Sequence, residues 1–258
     1  MNLEKPGNKY YTDAVIIGAG PVGLFAVFEL GLLDINCHLI DILEMPGGQC
    51  SELYPEKPIY DIPGVPVISG QGLTDALMKQ IEPFKPSFHL GQMANKLIWN
   101  KKEKFWTIKT DEETEISAKV IVIAGGGGSF VPKKPPLENL EKFEKLEAVK
   151  YSVKKIDDFK DKNILITGGG DSALDWVINL APIAKKITLV HRREDFRAAP
   201  DTVSKMYKLK DKGVIDFFIG QVKELRGENR LSKILVSSID QKNQYLVEAD
   251  VLLPFFGL

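Results

Sequence analysis

The chain has 258 residues, of which 44% are hydrophobic, so it can form one or two domains with apolar cores. Its formal net charge of −1 gives no basic excess, which argues against nucleic acid or an anionic membrane surface as a partner. The two cysteines, Cys37 and Cys50, form no C-x-x-C pair, and the three histidines are scattered. We therefore predict a protein of a reducing compartment, the cytoplasm, without a metal site.

Residues 14–28 carry no charge and could be mistaken for a signal peptide or a membrane span. However, Asp13 stands where a signal peptide would carry a basic residue, and Glu29 interrupts the run. The run is also shorter than the ~20 apolar residues that a spanning helix needs. We therefore predict a buried strand and helix, and no membrane segment.

Residues 13–24 have the pattern of a buried strand, a glycine turn and the start of a helix. Gly18, Gly20 and Gly23 form a G-x-G-x-x-G motif, which we call the first glycine loop. In dinucleotide-binding folds the first glycine permits the turn and the second lets the backbone approach a pyrophosphate. The third lets the helix pack on the strand. The helix N-terminus then offers free N–H groups to the phosphates.

A second apolar strand, residues 37–40, is followed by Asp41 at about the 20-residue distance expected for an acid that binds a ribose hydroxyl. This pairing makes the motif more specific than the glycines alone. The alternative is a glycine turn in an α/β core with a surface aspartate.

The next segment has the composition of a ligand-facing loop. Gly47 and Gly48 allow the backbone to lie against a ligand. Residues 51–70 contain four prolines and cannot form a regular helix, so they form a long loop, either ordered or disordered. Tyr54 and Tyr60 offer aromatic surface to a planar cofactor.

Helical periodicity predicts a helix over residues 71–82, and partial alternation predicts three antiparallel strands, at 97–99, 104–109 and 114–118. Residues 120–124 form another buried apolar run, which ends in a glycine-rich segment at 125–130. A strand that ends in glycines is again a place where backbone can meet a ligand.

After a proline-rich linker at 132–136 and a charged stretch of loop and short helix at 138–161, the opening pattern returns. Residues 163–167 form an apolar strand, and a G-x-G-x-x-A variant of the motif follows, which we call the second glycine loop. Its motif positions are Gly168, Gly170 and Ala173. Residues 214–250 have the pattern of short strands and hairpins.

The strand after the second glycine loop, residues 186–190, ends in His191-Arg192-Arg193, with Arg197 further on. Guanidinium groups bind a 2′-phosphate in planar, bidentate geometry, whereas the carboxylate of Asp41 would repel one. The first loop is therefore predicted to hold an unphosphorylated adenine dinucleotide and the second NADP. The alternative is that the arginines form a solvated basic turn.

Two such modules in one chain resemble the thioredoxin reductase family, an FAD- and NADPH-dependent group. That family carries a redox C-x-x-C ahead of the second glycine loop, and residues 148–153 here contain no cysteine. The finer resemblance is to the thioredoxin-reductase-like ferredoxin–NADP reductases, and it covers the whole chain. It rests on these segments: Gly47-Gly48-Gln49, Leu53 to Lys57, Ile59-Tyr60-Asp61, Gly169 to Trp176, His191-Arg192-Arg193 and Phe196-Arg197.

The resemblance implies which residues bind the cofactors. Flavin contacts are implied at Asp41, Gln49, Tyr54, Ala94 and Phe130, with Tyr54 stacked on the isoalloxazine ring, and the backbone of Gly48 is predicted to lie against the same cofactor. NADP contacts are implied at Gly168, Gly170, Asp171, Ser172, Ala173, His191, Arg192, Arg193 and Arg197.

The resemblance also implies an α/β fold of two Rossmann-like domains, each with three layers, a parallel sheet and a β-meander. We predict an FAD-binding domain over 1–124 and 247–258, with an NADP-binding domain, 125–246, inserted into it. Members of the family continue past the point where this chain stops, through a glycine–aspartate motif at the flavin. We therefore expect a truncated FAD domain.

The predicted reaction transfers a hydride from NADPH to FAD and then single electrons to ferredoxin or a flavodoxin-like carrier. Because the cofactors supply this chemistry, we assign no catalytic side chain. The resemblance implies a homodimer. Two alternatives stay open: an NADPH-dependent flavin reductase of a thiol or another acceptor, for which Cys50 is a candidate, and a non-catalytic fragment that binds flavin or nucleotide.

Overall fold

The computed structural model describes residues 1–128 and 132–257, and it divides into two compact units, Met1–Ser129 and Phe130–Leu258. The strands of the first unit are β1 Asn2–Leu3, β2 Lys9–Ile17, β3 Cys37–Asp41, β4 Pro58–Ile59, β5 Ile68–Ser69, β6 Ser87–Leu90, β7 Ala94–Asn100, β8 Phe105–Thr110 and β9 Glu115–Ile123. Its helices are α1 Pro21–Leu32, α2 Gln49–Glu52 and α3 Gly70–Ile81, followed by a 3₁₀ turn, Glu82–Phe84.

The main sheet of the first unit has the strand order β1-β6-β3-β2-β9-β8-β7. Strands β1, β6, β3, β2 and β9 are parallel, and β9, β8 and β7 form an antiparallel meander. Ala14 and Ile16 of β2 pack in the cluster under α1 and α3, whereas Val15 packs against the meander residues Ile108 and Ile116. The strand is therefore buried on both faces, as its uninterrupted apolar run predicted.

The structure changes three details of the sequence prediction. The strands predicted at 114–118 and 120–124 are one strand, β9, which pairs with β2 throughout and with β8 only in its first half. Strand β6 was not predicted. The proline-rich segment is an ordered loop, because the strands β4 and β5 pair within it and Ser69 caps α3 by accepting a hydrogen bond from the Gly72 N–H at 3.0 Å.

The second unit contains the helices α4 Leu140–Lys145, α5 Asp171–Leu180 and α6 Pro200–Asp211, with a 3₁₀ turn at Ile156–Phe159. Its strands are β10 Asn163–Thr167, β11 Lys186–His191, β12 Ile215–Arg226, β13 Lys233–Ser238, β14 Gln244–Glu248 and β15 Val251–Pro254. The strand order is β14-β13-β12-β11-β10-β15. Strand β12 pairs parallel with β11 through its first half and antiparallel with β13 through its second half, so it carries the chain from the parallel sheet into the meander.

The last strand corrects the predicted domain boundary. Strand β15 lies parallel to β10, with Ile164 opposite Val251 and Leu165 opposite Leu252, and both leucines are fully buried. Residues 247–258 therefore include a core strand of the second unit, not a return of the chain to the first domain. The insertion of the second unit into the first stays a prediction, whereas the α/β Rossmann-like fold of both units is confirmed.

Among the described residues, no helix is long and apolar enough to cross a membrane.

Candidate nucleotide-binding sites

The first glycine loop is possible only with glycine at two of its motif positions. Gly18 follows β2 with φ +107°, and a Cβ there would lie 2.3 Å from the carbonyl oxygen of Ala124, at the end of β9. A Cβ at Gly23, in the first turn of α1, would lie 1.9 Å from the carbonyl oxygen of Gly18. The chain thus turns tightly between two parallel strands, and α1 packs directly on the turn, as the motif predicted.

Gly20 and Gly48 face each other across a cradle of bare backbone. Gly20 is the N-cap of α1, and a Cβ built on it would lie 3.8 Å from the Cα of Gly48, its one non-neighbouring contact within 4 Å in the part of the chain that the structure describes. Gly48 has φ +57°, and its own Cβ would come within 3.0 Å of the Gly20 Cα. Side chains here would fill the space in front of the α1 N-terminus, where free N–H groups attract a phosphate. The backbone therefore fits the pyrophosphate of a dinucleotide.

Asp41 holds the first glycine loop to the end of β3. Its Oδ2 accepts a hydrogen bond from the Ala19 N–H at 2.6 Å, and its Oδ1 accepts one from the Leu43 N–H at 2.9 Å. Each carboxylate oxygen keeps a second lone pair. Asp41 can therefore order the loop and still accept a ribose hydroxyl, although the ribose contact itself stays a prediction.

Gln49 lies close to both glycine-rich segments of the first unit. It is the first residue of α2, after Gly48, and its Nε2 lies 3.5 Å from the position of a Cβ on Gly127. Among the described residues, and leaving out the chain neighbours, no heavy atom lies within 4 Å of a Cβ built on Gly125, Gly126 or Gly128. The structure thus brings the Gly48-Gln49 pair next to the glycines after β9, as expected of one cofactor site.

The partly buried Tyr54 and the buried Cys50 form a pair beside this site. The Cys50 thiol donates to the Tyr54 hydroxyl oxygen over 3.9 Å, and the Lys57 Nζ lies 5.6 Å from the centre of the tyrosine ring. Burial raises the pKa of Tyr54 to about 12 and also raises the pKa of Cys50. Both groups therefore stay protonated near neutral pH, and a buried neutral thiol is a weak nucleophile.

Ala94 and Phe130 are the two remaining residues predicted to contact the flavin, and only Ala94 lies within the described residues. Ala94 is the first residue of β7 and packs on the cluster of Val15 and Ile40. The backbone N–H of Gln92 donates to the Asp41 carbonyl at 3.0 Å, so this segment adjoins the end of β3. Phe130 lies outside the described residues. Sequence reasoning missed Gln92, whose buried side-chain oxygen accepts from the hydroxyl groups of two threonines.

The second glycine loop repeats the turn of the first with different partners. A Cβ on Gly168 would lie 2.6 Å from the Phe255 carbonyl oxygen and 3.0 Å from the Cβ of Ala173. Gly170 is the N-cap of α5, and a Cβ on it would meet no heavy atom of the other described residues within 4 Å, its chain neighbours and the α5 backbone aside. Ser172 is exposed in the first turn of α5, whereas Ala173 is buried against the turn. Gly170 thus leaves open space in front of the α5 N-terminus.

Gly169, at the centre of the second glycine loop, was not predicted to be a functional position. A Cβ on Gly169 would lie 2.2 Å from the Cε1 atom of His191 and 2.3 Å from its Nε2. The imidazole therefore rests directly on the loop backbone. The run of three glycines in the sequence was the available signal, because the G-x-G-x-x-A motif does not itself require the middle one.

Residues 192–199, which we call the arginine loop, lie against the second glycine loop. The Arg197 N–H donates to the Gly169 carbonyl at 2.7 Å, and the side chains of Arg192, Arg193 and Arg197 are exposed. The carboxylate of Asp171 accepts from the Ala199 N–H at 2.8 Å. The structure thus brings the three arginines next to the open N-terminus of α5.

Comparison with known proteins identifies the family. The pyridine nucleotide-disulphide oxidoreductase family model matches residues 12–258. A protein of a Bradyrhizobium species named ferredoxin–NADP reductase is 56% identical over 251 residues, which are 96% of this chain and 72% of that protein. One of the same name from Parvibaculum lavamentivorans is 54% identical over 248 residues, 96% of this chain and 71% of that protein.

Solved structures give the same fold. The thioredoxin reductase of Lactococcus lactis superposes with a TM-score of 0.77 at 22% identity, over 95% of this chain and 77% of that one. The thioredoxin reductase of T. acidophilum gives 0.79 at 19% identity, over 96% and 77%. At these identities the likeness concerns the fold alone. Together with the sequence relatives, it confirms the resemblance that the motifs indicated: the chain belongs to the pyridine nucleotide-disulphide oxidoreductase family.

Proposed function

We propose that the chain is a flavoprotein oxidoreductase that passes electrons between NADPH, bound FAD and ferredoxin or a similar one-electron carrier, such as a flavodoxin. The observation that carries the proposal is the contrast between two glycine loops of the same design. The first glycine loop is hydrogen-bonded to a carboxylate, that of Asp41. The second lies beside a loop that carries three exposed guanidinium groups. The relatives named ferredoxin–NADP reductase, at 54% to 56% identity over most of the chain, support the same assignment.

The first unit supplies the features that FAD requires. The backbone N–H groups at the start of α1 face the cradle between Gly20 and Gly48, where a pyrophosphate would be bound. Asp41 would accept a hydrogen bond from a ribose hydroxyl and repel a 2′-phosphate. Gln49, which lies next to Gly127, and the aromatic ring of Tyr54 would contact the flavin.

The second unit supplies the features that NADPH requires. Gly170 leaves the α5 N-terminus open to the pyrophosphate, and the exposed guanidinium groups of Arg192, Arg193 and Arg197 would bind the 2′-phosphate. Because the phosphate is a dianion near neutral pH and the arginines are permanently charged, this contact favours NADPH over NADH.

FAD, when bound, supplies the exchange between two-electron and one-electron transfer. The side chains of this chain then need only bind, orient and shield the cofactors. The protonated thiol and phenol of Cys50 and Tyr54 fit this division, because neither takes up or releases a proton near pH 7.

The thiol-directed alternative has less support. Residues 148–153 contain no cysteine, and Cys50 is only 8% exposed with a raised pKa. A thiolate would be needed to attack a disulfide.

An anaerobic titration with NADPH and then NADH, followed by the flavin absorbance, tests the proposal. We expect a yellow protein whose absorbance is bleached by NADPH and much less by NADH, with reduction of added ferredoxin under steady-state conditions. A protein that stays colourless after addition of FAD would instead support the non-catalytic fragment. Bleaching without ferredoxin reduction, together with disulfide reduction that Cys50→Ala abolishes, would support the thiol-directed enzyme.

We further propose that the chain acts as a cytoplasmic homodimer, as its resemblance implies. The two free, buried cysteines suit a reducing compartment. Light scattering should give twice the 28.8 kDa mass of one chain, and the monomer mass would contradict the dimer.

A further inference from the structure

We propose that His191 and Asp171 are positioning residues that fasten the arginine loop to the second glycine loop and thereby set the preference for a 2′-phosphate. The inference rests on the proposed NADP site and deepens it. It assigns the two side chains a role different from direct contact with the nucleotide. Their partners are the backbone and side chains of the two loops. These contacts fix the backbone positions from which the three arginine side chains extend.

The His191 ring has two packing partners. It lies against the backbone of Gly169, because a Cβ built there would come within 2.2 Å of the ring. It also stacks on Phe196, with ring centres 5.2 Å apart and planes inclined by 25°. The ring therefore fills the space between the two loops, and the middle glycine is required because of the histidine.

A hydrogen bond fixes the orientation of the same ring. The Nε2 of His191 lies 3.2 Å from the carbonyl oxygen of Asp195, within the arginine loop. A carbonyl oxygen can only accept, so Nε2 must carry the proton. Burial lowers the pKa of His191 more than the hydrogen bond to the Asp195 carbonyl raises it, and the nearby charges of Arg192 and Arg193 also lower it. The neutral ring thus adds no charge of its own beside the guanidinium groups.

Two backbone N–H groups complete the attachment. The Arg197 N–H donates to the Gly169 carbonyl at 2.7 Å, and the Ala199 N–H donates to the Asp171 Oδ1 at 2.8 Å. Asp171 is the first residue of α5, so its side chain ties the end of the arginine loop to the helix N-terminus that faces the pyrophosphate site. The loop is therefore attached near its start, its middle and its end.

This attachment matters only to a ligand that uses the arginines. If it is lost, the loop must be ordered when the 2′-phosphate binds, and that cost lowers the affinity. A nucleotide without the 2′-phosphate does not require the loop and does not incur the cost. A direct ligand of the pyrophosphate or adenosine would instead affect both kinds of nucleotide.

The first experiment compares the affinities of 2′,5′-ADP and 5′-AMP by calorimetry with the full chain and with variants. We expect His191→Ala and Asp171→Ala to weaken 2′,5′-ADP by about tenfold and 5′-AMP by less than about twofold. Asp171→Asn is the matched control, because its amide oxygen can still accept from the Ala199 N–H. It should retain most of the preference. Equal losses for both ligands would overturn the proposal.

A second readout needs no nucleotide. Hydrogen exchange measured by NMR in the free protein should show protected amides at Arg197 and Ala199, and His191→Ala should make the Arg197 amide exchange at least about tenfold faster. Unchanged exchange in that variant would also overturn the proposal. If the wild-type protein does not prefer 2′,5′-ADP, the proposed NADP site is wrong and the selectivity role falls with it, whereas the exchange data still decide whether the attachment exists.

Gly169→Ala offers an independent check through a double-mutant cycle. Alone, it should displace the imidazole and reduce the preference for 2′,5′-ADP about as much as His191→Ala does. In the His191→Ala background it should have little additional effect, because the ring it displaces is already absent. Fully additive losses would contradict the link between the glycine and the histidine.

Discussion

A buried pair of imidazoles in the first unit predicts that this unit loses stability in mild acid. The side chain of His89, on β6, is 0% exposed, and its Nε2 lies 2.9 Å from the Nδ1 of His38 on β3. Burial, followed by the proximity of His38, lowers the pKa of His89 to about 4, and the nearby carboxylate of Glu4 offsets only part of this. Among the described residues, the Nδ1 of His89 has no hydrogen-bond partner.

The sign and size of the effect follow from proton linkage. As the pH falls below about 6.5, the unfolded chain protonates its histidine, whereas the folded chain cannot protonate His89 until about pH 4. The unfolded state then binds more protons, so the stability falls between these two values. The loss should be about 2 kcal/mol by pH 5 and at most about 3 kcal/mol by pH 4. Because the pKa of His38 is also lowered by burial, its contribution has the same sign.

Tryptophan fluorescence can isolate the first unit in this measurement. Trp99 and Trp106 lie in the first unit and Trp176 in the second, so a Trp176→Phe background reports on the first unit alone. Urea unfolding at pH 7 and pH 5 then gives the two free energies of unfolding. His89→Gln removes the titrating group and keeps an N–H donor for His38. We expect it to remove most of the difference between the two pH values.

His38→Gln is the control, because it leaves the buried His89 in place and should retain most of the acid loss. If the wild-type and His89→Gln proteins lose the same stability between pH 7 and pH 5, the reasoning from the buried imidazole is wrong. The acid sensitivity would then come from carboxylates elsewhere in the unit.

Four further predictions concern the proposed cofactor sites. Arg192→Ala combined with Arg193→Ala should raise the KM for NADPH by at least about tenfold and that for NADH much less, and equal increases would remove the 2′-phosphate assignment. Gly170→Ala should leave the melting temperature within about 2 °C of the wild-type value, because its Cβ meets no described atom within 4 Å. The same Cβ occupies the space proposed for the pyrophosphate, so it should weaken 2′,5′-ADP binding in calorimetry. By contrast, Gly23→Ala should destabilise the first unit in urea by about 1–3 kcal/mol or more, because its Cβ meets main chain at 1.9 Å, and an unchanged unfolding midpoint would contradict this. Cys50→Ala should leave ferredoxin reduction within about twofold of the wild-type rate, and a larger loss would reopen a role for the thiol.

The central elements of both units could be predicted because each has a local signal. Uninterrupted apolar runs marked β2 and β10 as strands buried on both faces, and the glycines after them marked the turns into α1 and α5. The G-x-G-x-x-G spacing is equally local, since the turn, the open position and the helix contact follow one another within one stretch of chain.

The errors come from strand partners that are distant in sequence. The sequence of residues 251–254 predicts only an apolar strand. It does not indicate whether that strand pairs with β10 in the second sheet, as it does, or with a strand of the first sheet. The same applies to β9, which pairs with β2 throughout but with β8 only in its first half, so its two halves have the sequence patterns of two different strands. An apolar run predicts a strand, but it does not identify the neighbouring strand, nor does it ensure burial, since Val120 and Ile123 of β9 are exposed.

The two glycine loops also illustrate why residue types predict ligands better than they predict contacts. Asp41, Asp171 and His191 were all identified as nucleotide-binding positions, and each also contacts the backbone of a loop that adjoins its own element. An acidic or imidazole group at the carboxyl end of a parallel strand, or at the start of the following helix, is close both to the ligand and to the unpaired N–H and C=O groups of the neighbouring turn. Only a three-dimensional structure distinguishes these roles. In this chain the hydrogen bonds of Asp41 leave lone pairs free for the predicted ribose hydroxyl, and those of His191 and Asp171 are the basis of our proposal that these two residues act on the loop that carries the arginines.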